Sequence, residues 1–145
     1  MGLDMYLYAE QYVSDYNEEG KELSNKLFKA TGKRITSIRT EVGYWRKANA
    51  IHKWFVDNCQ DGRDECQSTF VSDEKLEELL ETVKQVLADP KLATELLPTT
   101  DGFFFGGTEY DSWYIQDLEE TKNILETVLN DRSLDNWDFY YQSSW

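Results

Sequence analysis

The sequence predicts an α+β fold: an antiparallel or mixed sheet of about four to five strands packed against three or four helices. Three observations carry that reading. Apolar and polar residues alternate near both ends of the chain and again before residue 42. Four segments between them repeat their apolar residues at helical spacing. Only 2 prolines occur, which leaves little room for long irregular linkers. At 145 residues, with 40% apolar residues, the chain is expected to form a single domain over residues 1–145 with a substantial core.

The elements follow in order. Leu3, Met5 and Leu7 alternate with Asp4, Tyr6 and Tyr8, so residues 3–13 are predicted to be a strand with one face in the core. Residues 14–17 offer helix caps and Glu18 and Glu19 suit a first turn. A helix then runs to about Ala30, stopping at Gly32. Residues 35–42 are rich in β-branched side chains and are predicted to be a strand. A helix is expected to begin near Trp45, with Trp45, Ala48, His52, Phe55 and Cys59 on one face. Residues 60–69 read as a surface loop around Asp61-Gly62, and Phe70-Val71 as a short strand. Ser72 caps an amphipathic helix that ends before Pro90, and residues 91–97 add a helical turn. Phe103-Phe104-Phe105, lying between glycines, reads as a buried strand. Asp111 or Ser112 caps a helix to about Asn130, and residues 136–145 form a last strand.

Charge sets the first bound on function. The formal net charge is −13, which disfavours direct nucleic-acid binding. Residues 29–53 run against this balance, because seven cations and Glu41 alone among acids give +6 there and −19 elsewhere. Such a segment either attracts an anion or pairs with the acids around it. No apolar run approaches the ~20 residues of a membrane helix, and no secretory signal opens the chain, so a cytoplasmic location and no membrane are expected.

Chemistry is bounded next. Cys59, Cys66 and one histidine do not make a four-ligand zinc site, and the acids of residues 60–69 lack calcium-loop spacing. No phosphate-loop or dinucleotide fingerprint occurs, so no cofactor is expected. A nucleophile would need a base, and His52 is the sole histidine; the expectation is a non-catalytic protein. The candidate ligand-binding residues are Tyr44, Trp45, Arg46, Lys47, Asn49, His52 and Lys53, with Tyr110 and Trp113. The rings could stack on a base, the cations could hold phosphate, and Asn49 could read a polar edge. His52 lies on an apolar helical face, where it is either a core residue or a ring at a pocket mouth. A short echo links Gly43-Tyr44-Trp45 with Tyr110-Asp111-Ser112-Trp113-Tyr114: each opens a helix, and the two corners could face each other.

The chain resembles a group of uncharacterised small acidic bacteriophage and prophage proteins. The resemblance rests on Met1-Gly2-Leu3-Asp4-Met5-Tyr6-Leu7, on Gly43-Tyr44-Trp45-Arg46-Lys47-Ala48-Asn49 with Ile51-His52 and Trp54-Phe55, on Gly102 to Gly106, and on Asp138 to Trp145. It implies a phage accessory protein acting in the host cell cytoplasm against host defence. The expected partner is an anionic small molecule, such as a nucleotide, or a host protein. The alternative reading is an acidic interaction module or DNA mimic that inhibits a host nucleic-acid-binding enzyme. The ring content leaves room for a homodimer.

Overall fold

The structure is a computed structural model that describes residues 2–145. Four strands form one antiparallel sheet: β1 (Asp4–Tyr12), β2 (Ser37–Arg46), β3 (Thr69–Val71) and β4 (Asp138–Ser144), in the order β2-β1-β4-β3. Five helices accompany it: α1 (Glu18–Thr31), α2 (Asn49–Cys59), α3 (Asp73–Ala88), the single turn α4 (Ala93–Leu96) and α5 (Ser112–Asn130). The fold is α+β, as the sequence predicts. No helix among the described residues is long and apolar enough to cross a membrane.

β1 is the central strand. Leu3, Met5, Leu7 and Ala9 are buried on its helix-facing side, while Tyr6, Tyr8 and Glu10 point to the other side. It pairs with β2 along one edge and β4 along the other. The β1–β2 register shifts between Leu7, opposite Gly43, and Tyr8, opposite Glu41, so Val42 is left over as a bulge. A strand alternates faces with period two, so this one extra residue moves Arg39 and Glu41 onto the side that carries the tyrosines.

α2 lies against the helix-facing side and is buried nearly all round, including Ile51, Trp54, Phe55 and Val56. Phe55 stacks on Tyr141 of β4, with ring centres 4.0 Å apart and an 8° interplanar angle. α3 contributes Leu76, Leu79, Val83 and Val86, and α5 contributes Tyr114, Leu118, Leu125 and Val128, to the same core. Asn17, Ser72 and Asp111 cap α1, α3 and α5 through their side chains, as their positions in the sequence suggest.

Three expectations are corrected. The helix does not begin near Trp45: Trp45 pairs with Met5 and Arg46 with Asp4, so both finish β2 and the helix starts at Asn49. The ladder to β1 holds them extended, and a tight corner at Lys47-Ala48 then ends the strand. Phe103-Phe104-Phe105 is a turn, not a buried strand; Phe103 is 95% exposed and only Phe105 enters the core. Local hydrophobicity without a strand partner does not make a strand. The third is the outcome at Tyr44, Lys53 and His52, which do not gather at one corner with Arg46 and Lys47; α1, for its part, forms where the sequence places it, though it buries none of its residues.

Gly43 shows how closely sheet and helix approach. A Cβ added there would lie 2.8 Å from Ile124 Cγ2 of α5 and 3.3 Å from Leu7 Cβ. We expect Gly43→Ala to cost about 1–3 kcal/mol by urea denaturation, the usual price of overpacking. Gly107→Ala, with nothing within 4 Å of the added atom, is the matched control and should stay within about 0.5 kcal/mol of wild type.

Candidate functional site

The corner between β2 and α2 is a constrained piece of backbone beside a cleft. Lys47 adopts a left-handed conformation, φ 57°, which an ordinary side chain occupies at a cost. Ala48 follows at φ −79° and ψ 70°, and the Asn49 N–H donates to the Lys47 carbonyl at 2.9 Å, closing an inverse γ-turn. The Lys47 N–H donates to the Leu3 carbonyl at 2.8 Å, anchoring the corner to the first residues of the chain. Gly106 lets the facing loop come close, since a Cβ there would lie 3.3 Å from Lys47 Cβ.

This corner forms one wall of a cleft of about 280 Å³. Arg46, Lys47, Asn49 and Ala50 line that wall, Thr99, Gly106 and Gly107 line the loop, and Glu109, Asp111, Trp113, Tyr114 and Asp117 line the opposite side. Trp113 is 72% exposed. The Arg46 guanidinium is tied to Asp4 at 3.1 Å. Lys47 is not among the residues in ion pairs within the described chain. Of the seven cations in residues 29–53, Arg34, Arg39, Arg46 and Lys53 pair with nearby acids, which is the outcome in which a basic segment neutralises its surroundings.

Asp117 is the cleft's unusual acid. Burial, followed by the neighbouring Glu120 and Asp111 carboxylates, pushes it up to about 7. It therefore exchanges a proton near neutral pH and can present either a donor or an acceptor to a bound molecule. Its backbone carbonyl accepts from Thr121 Oγ1 at 2.6 Å, and that hydroxyl in turn accepts from Trp45 Nε1 at 2.8 Å. Tyr114 donates its hydroxyl to the Leu97 carbonyl at 2.7 Å, and burial raises its pKa.

The sequence-derived candidates separate into three groups. Arg46, Lys47, Asn49 and Trp113 meet in the cleft, with Tyr110 beside it, its hydroxyl accepting the Thr99 N–H and its ring against Tyr114. Asn49, however, is fully engaged: Nδ2 donates to the carbonyls of Phe105 at 3.0 Å and Gly107 at 2.8 Å, and Oδ1 accepts the Thr100 N–H at 3.1 Å. It is a latch on the 98–107 loop and has no free edge for reading a ligand. Trp45, Tyr44, Lys53 and His52 lie elsewhere. Trp45 is buried, Tyr44 faces the open side of the sheet and bonds Asp4, and Lys53 pairs with Asp57 at 2.7 Å.

His52 is 1% exposed. Its Nδ1 lies 2.6 Å from the Tyr141 hydroxyl and its Nε2 lies 2.9 Å from Asp64 Oδ2. A carboxylate only accepts, so Nε2–H donates to Asp64 and Nδ1 accepts from Tyr141. Asp64 also accepts from Trp145 Nε1 at 3.0 Å. The chain of bonds ties α2, the 60–68 loop and the C-terminal end together, and Tyr141 is fully buried, out of reach of any substrate. Cys59 and Cys66 are free, and burial pushes the Cys59 thiol up to about 11, which keeps it unreactive. Among the described residues, no group of three or more potential ligands could hold a metal.

Asp117, Thr99 and Glu109 escaped the sequence reading. Asp117 carried one usable signal: it stands four residues after Trp113, on the same helical face and beside the apolar stripe. Compared with known protein families, curated proteins and solved structures, the chain matches none.

Two outcomes test this anatomy. Asn49→Ala removes the partner of the buried Phe105 carbonyl and of the part-buried Gly107 carbonyl and Thr100 N–H, and should cost on the order of 2 kcal/mol in chemical denaturation. Asp117→Asn tests the titration. An aspartate in an unfolded chain releases its proton near ~3.9, whereas the native one holds it to about 7. Native stability therefore falls as pH rises through that window and levels off above it. The asparagine variant, which cannot ionise, should gain in melting temperature over wild type progressively between those values and hold a constant lead at higher pH.

Proposed function

We propose that this protein binds, without catalysing a reaction, a small anion-bearing ligand of about mononucleotide size or less in the cleft between the Arg46–Ala50 corner and α5. The observation that carries the reading is Lys47. Its backbone is held in a costly conformation, its stem is packed against Gly106, and it lines the cleft with no carboxylate partner among the described residues. A free cation beside an exposed tryptophan suits a phosphate next to a planar ring. Asp117 on the far wall suits a polar edge at the ligand's other end. A nucleotide carries all three features, and a purely anionic ligand suits the site less, because Glu109, Asp111 and Asp117 oppose it. In the phage setting that the sequence resemblance implies, such a binder would sequester a nucleotide signal used in host defence.

Calorimetric titration with nucleoside monophosphates, cyclic nucleotides and sugar phosphates tests this. Binding by at least one nucleotide is expected. Lys47→Ala should weaken it by about tenfold, or ~1.4 kcal/mol, and Trp113→Ala by about fivefold or more. If no compound in these classes binds, or if both variants bind like wild type, the reading fails.

A further inference from the structure

The sheet side turned away from the helices carries a second surface. The register sets Tyr8 of β1 directly opposite Tyr140 of β4. Tyr6 stacks beside Tyr8, ring centres 5.6 Å apart and 8° from parallel. On β3, Phe70 pairs with Tyr140 and is 54% exposed. The rings pack on one another across three strands, on a side that no helix covers, and leave Phe70 more than half exposed. Beside these rings, a groove of about 370 Å³ runs between Tyr6, Tyr8 and Cys66.

One cation of the chain already lies on this floor. The Arg39 guanidinium carbon is 4.6 Å from the centre of the Tyr8 ring and 5.7 Å from that of Tyr140, and its Nε donates to Glu10 at 3.2 Å. The surface thus holds an arginine by ring face and carboxylate together. Four acids point to this side, Asp4, Glu10, Glu41 and Asp138, as the register requires. Arg46 and Arg39 neutralise Asp4 and Glu10. Glu41, next to Tyr8, and Asp138, next to Arg39's partner Glu10, have no cation among the described residues.

We propose that this open sheet face docks an arginine-rich segment of a partner protein. The segment's guanidinium groups enter the groove beside the half-buried Tyr6 and Tyr8 rings and pair with Glu41 and Asp138. Charge selects this occupant. A nucleic acid would bring phosphates to two unpaired carboxylates on a chain of net charge −13. A second copy would bring the same two acids and the same net charge. Tyrosine and arginine are also the residues that concentrate binding energy at protein interfaces.

The test titrates the full chain with hexa-arginine, hexa-lysine and hexa-glutamate, followed by calorimetry and by amide shifts in nitrogen-15 spectra. Hexa-arginine is expected to bind and to shift amides of β1 and β4. The double variant Glu41→Gln/Asp138→Asn, which alters only exposed side chains, should lose about fivefold in affinity, equivalent to about 1 kcal/mol. Tyr8→Leu, checked for folding by circular dichroism, should lose a similar factor. Glu77→Gln/Glu81→Gln on the exposed side of α3 should bind like wild type. Hexa-lysine should bind more weakly, since ammonium groups stack poorly on rings. The proposal is overturned if hexa-arginine does not bind, if hexa-lysine binds as tightly, or if the α3 variant loses as much as the sheet variant. Sedimentation showing a dimer that Tyr8→Leu dissolves would overturn it in favour of self-association.

Discussion

Everything in this molecule depends on β1 satisfying two hydrogen-bond ladders at once. Its backbone groups are consumed by β2 on one edge and β4 on the other, so its position between them is fixed. Its side chains must then alternate. Leu3, Met5, Leu7 and Ala9 go to the helices, and Tyr6, Tyr8 and Glu10 go to the open side. One strand thereby assigns two surfaces with different chemistry. The leftover Val42 in β2 extends the second one, by turning Arg39 and Glu41 toward the tyrosines.

The cleft is built by joining that ladder to a corner. β2 runs on until Arg46 because Asp4 opposes it, and the chain must then reverse into α2 within two residues. Lys47 takes the left-handed conformation that this demands. Asn49 spends its whole side chain on the loop across the gap, which is why the cleft has a rigid wall and why that asparagine is unavailable to a ligand. His52 does comparable work one turn further on. In both cases a polar group enters the interior only with every donor and acceptor atom engaged, as the cost of a stranded donor requires.

The acidity of the chain is distributed unevenly between these surfaces. In the cleft, acids stand opposite Lys47, and burial, with the nearby Glu120 and Asp111 carboxylates adding to it, raises the proton affinity of Asp117. On the open sheet, two acids are answered by arginines of the same chain and two have no cation among the described residues. The cationic segment around residue 39 therefore serves first as internal neutralisation, and of its cleft-lining pair Arg46 is ion-paired whereas Lys47 is not, among the described residues.

The sequence by itself determined the periodicities, and with them the sheet, the helices and their caps. Alternation at residues 3–13 and 136–145 and the stripes of α3 and α5 depend on spacing along the chain, which needs no partner to be visible. It also singled out Arg46, Lys47, Asn49 and Trp113, because rings and cations stand out against an acidic background. Only the tertiary structure decided what those residues do. Trp45 entered the core because Met5 paired with it, Asn49 became a latch because the 98–107 loop came within reach, and Asp117 acquired its proton chiefly because the fold buried it, the nearby Glu120 and Asp111 carboxylates adding to that. α1 has an amphipathic pattern as clear as any other, yet it buries no residue, since burial depends on where the chain is carried and not on the stripe. Pattern is a property of neighbours in sequence; pairing, desolvation and charge repulsion are properties of neighbours in space.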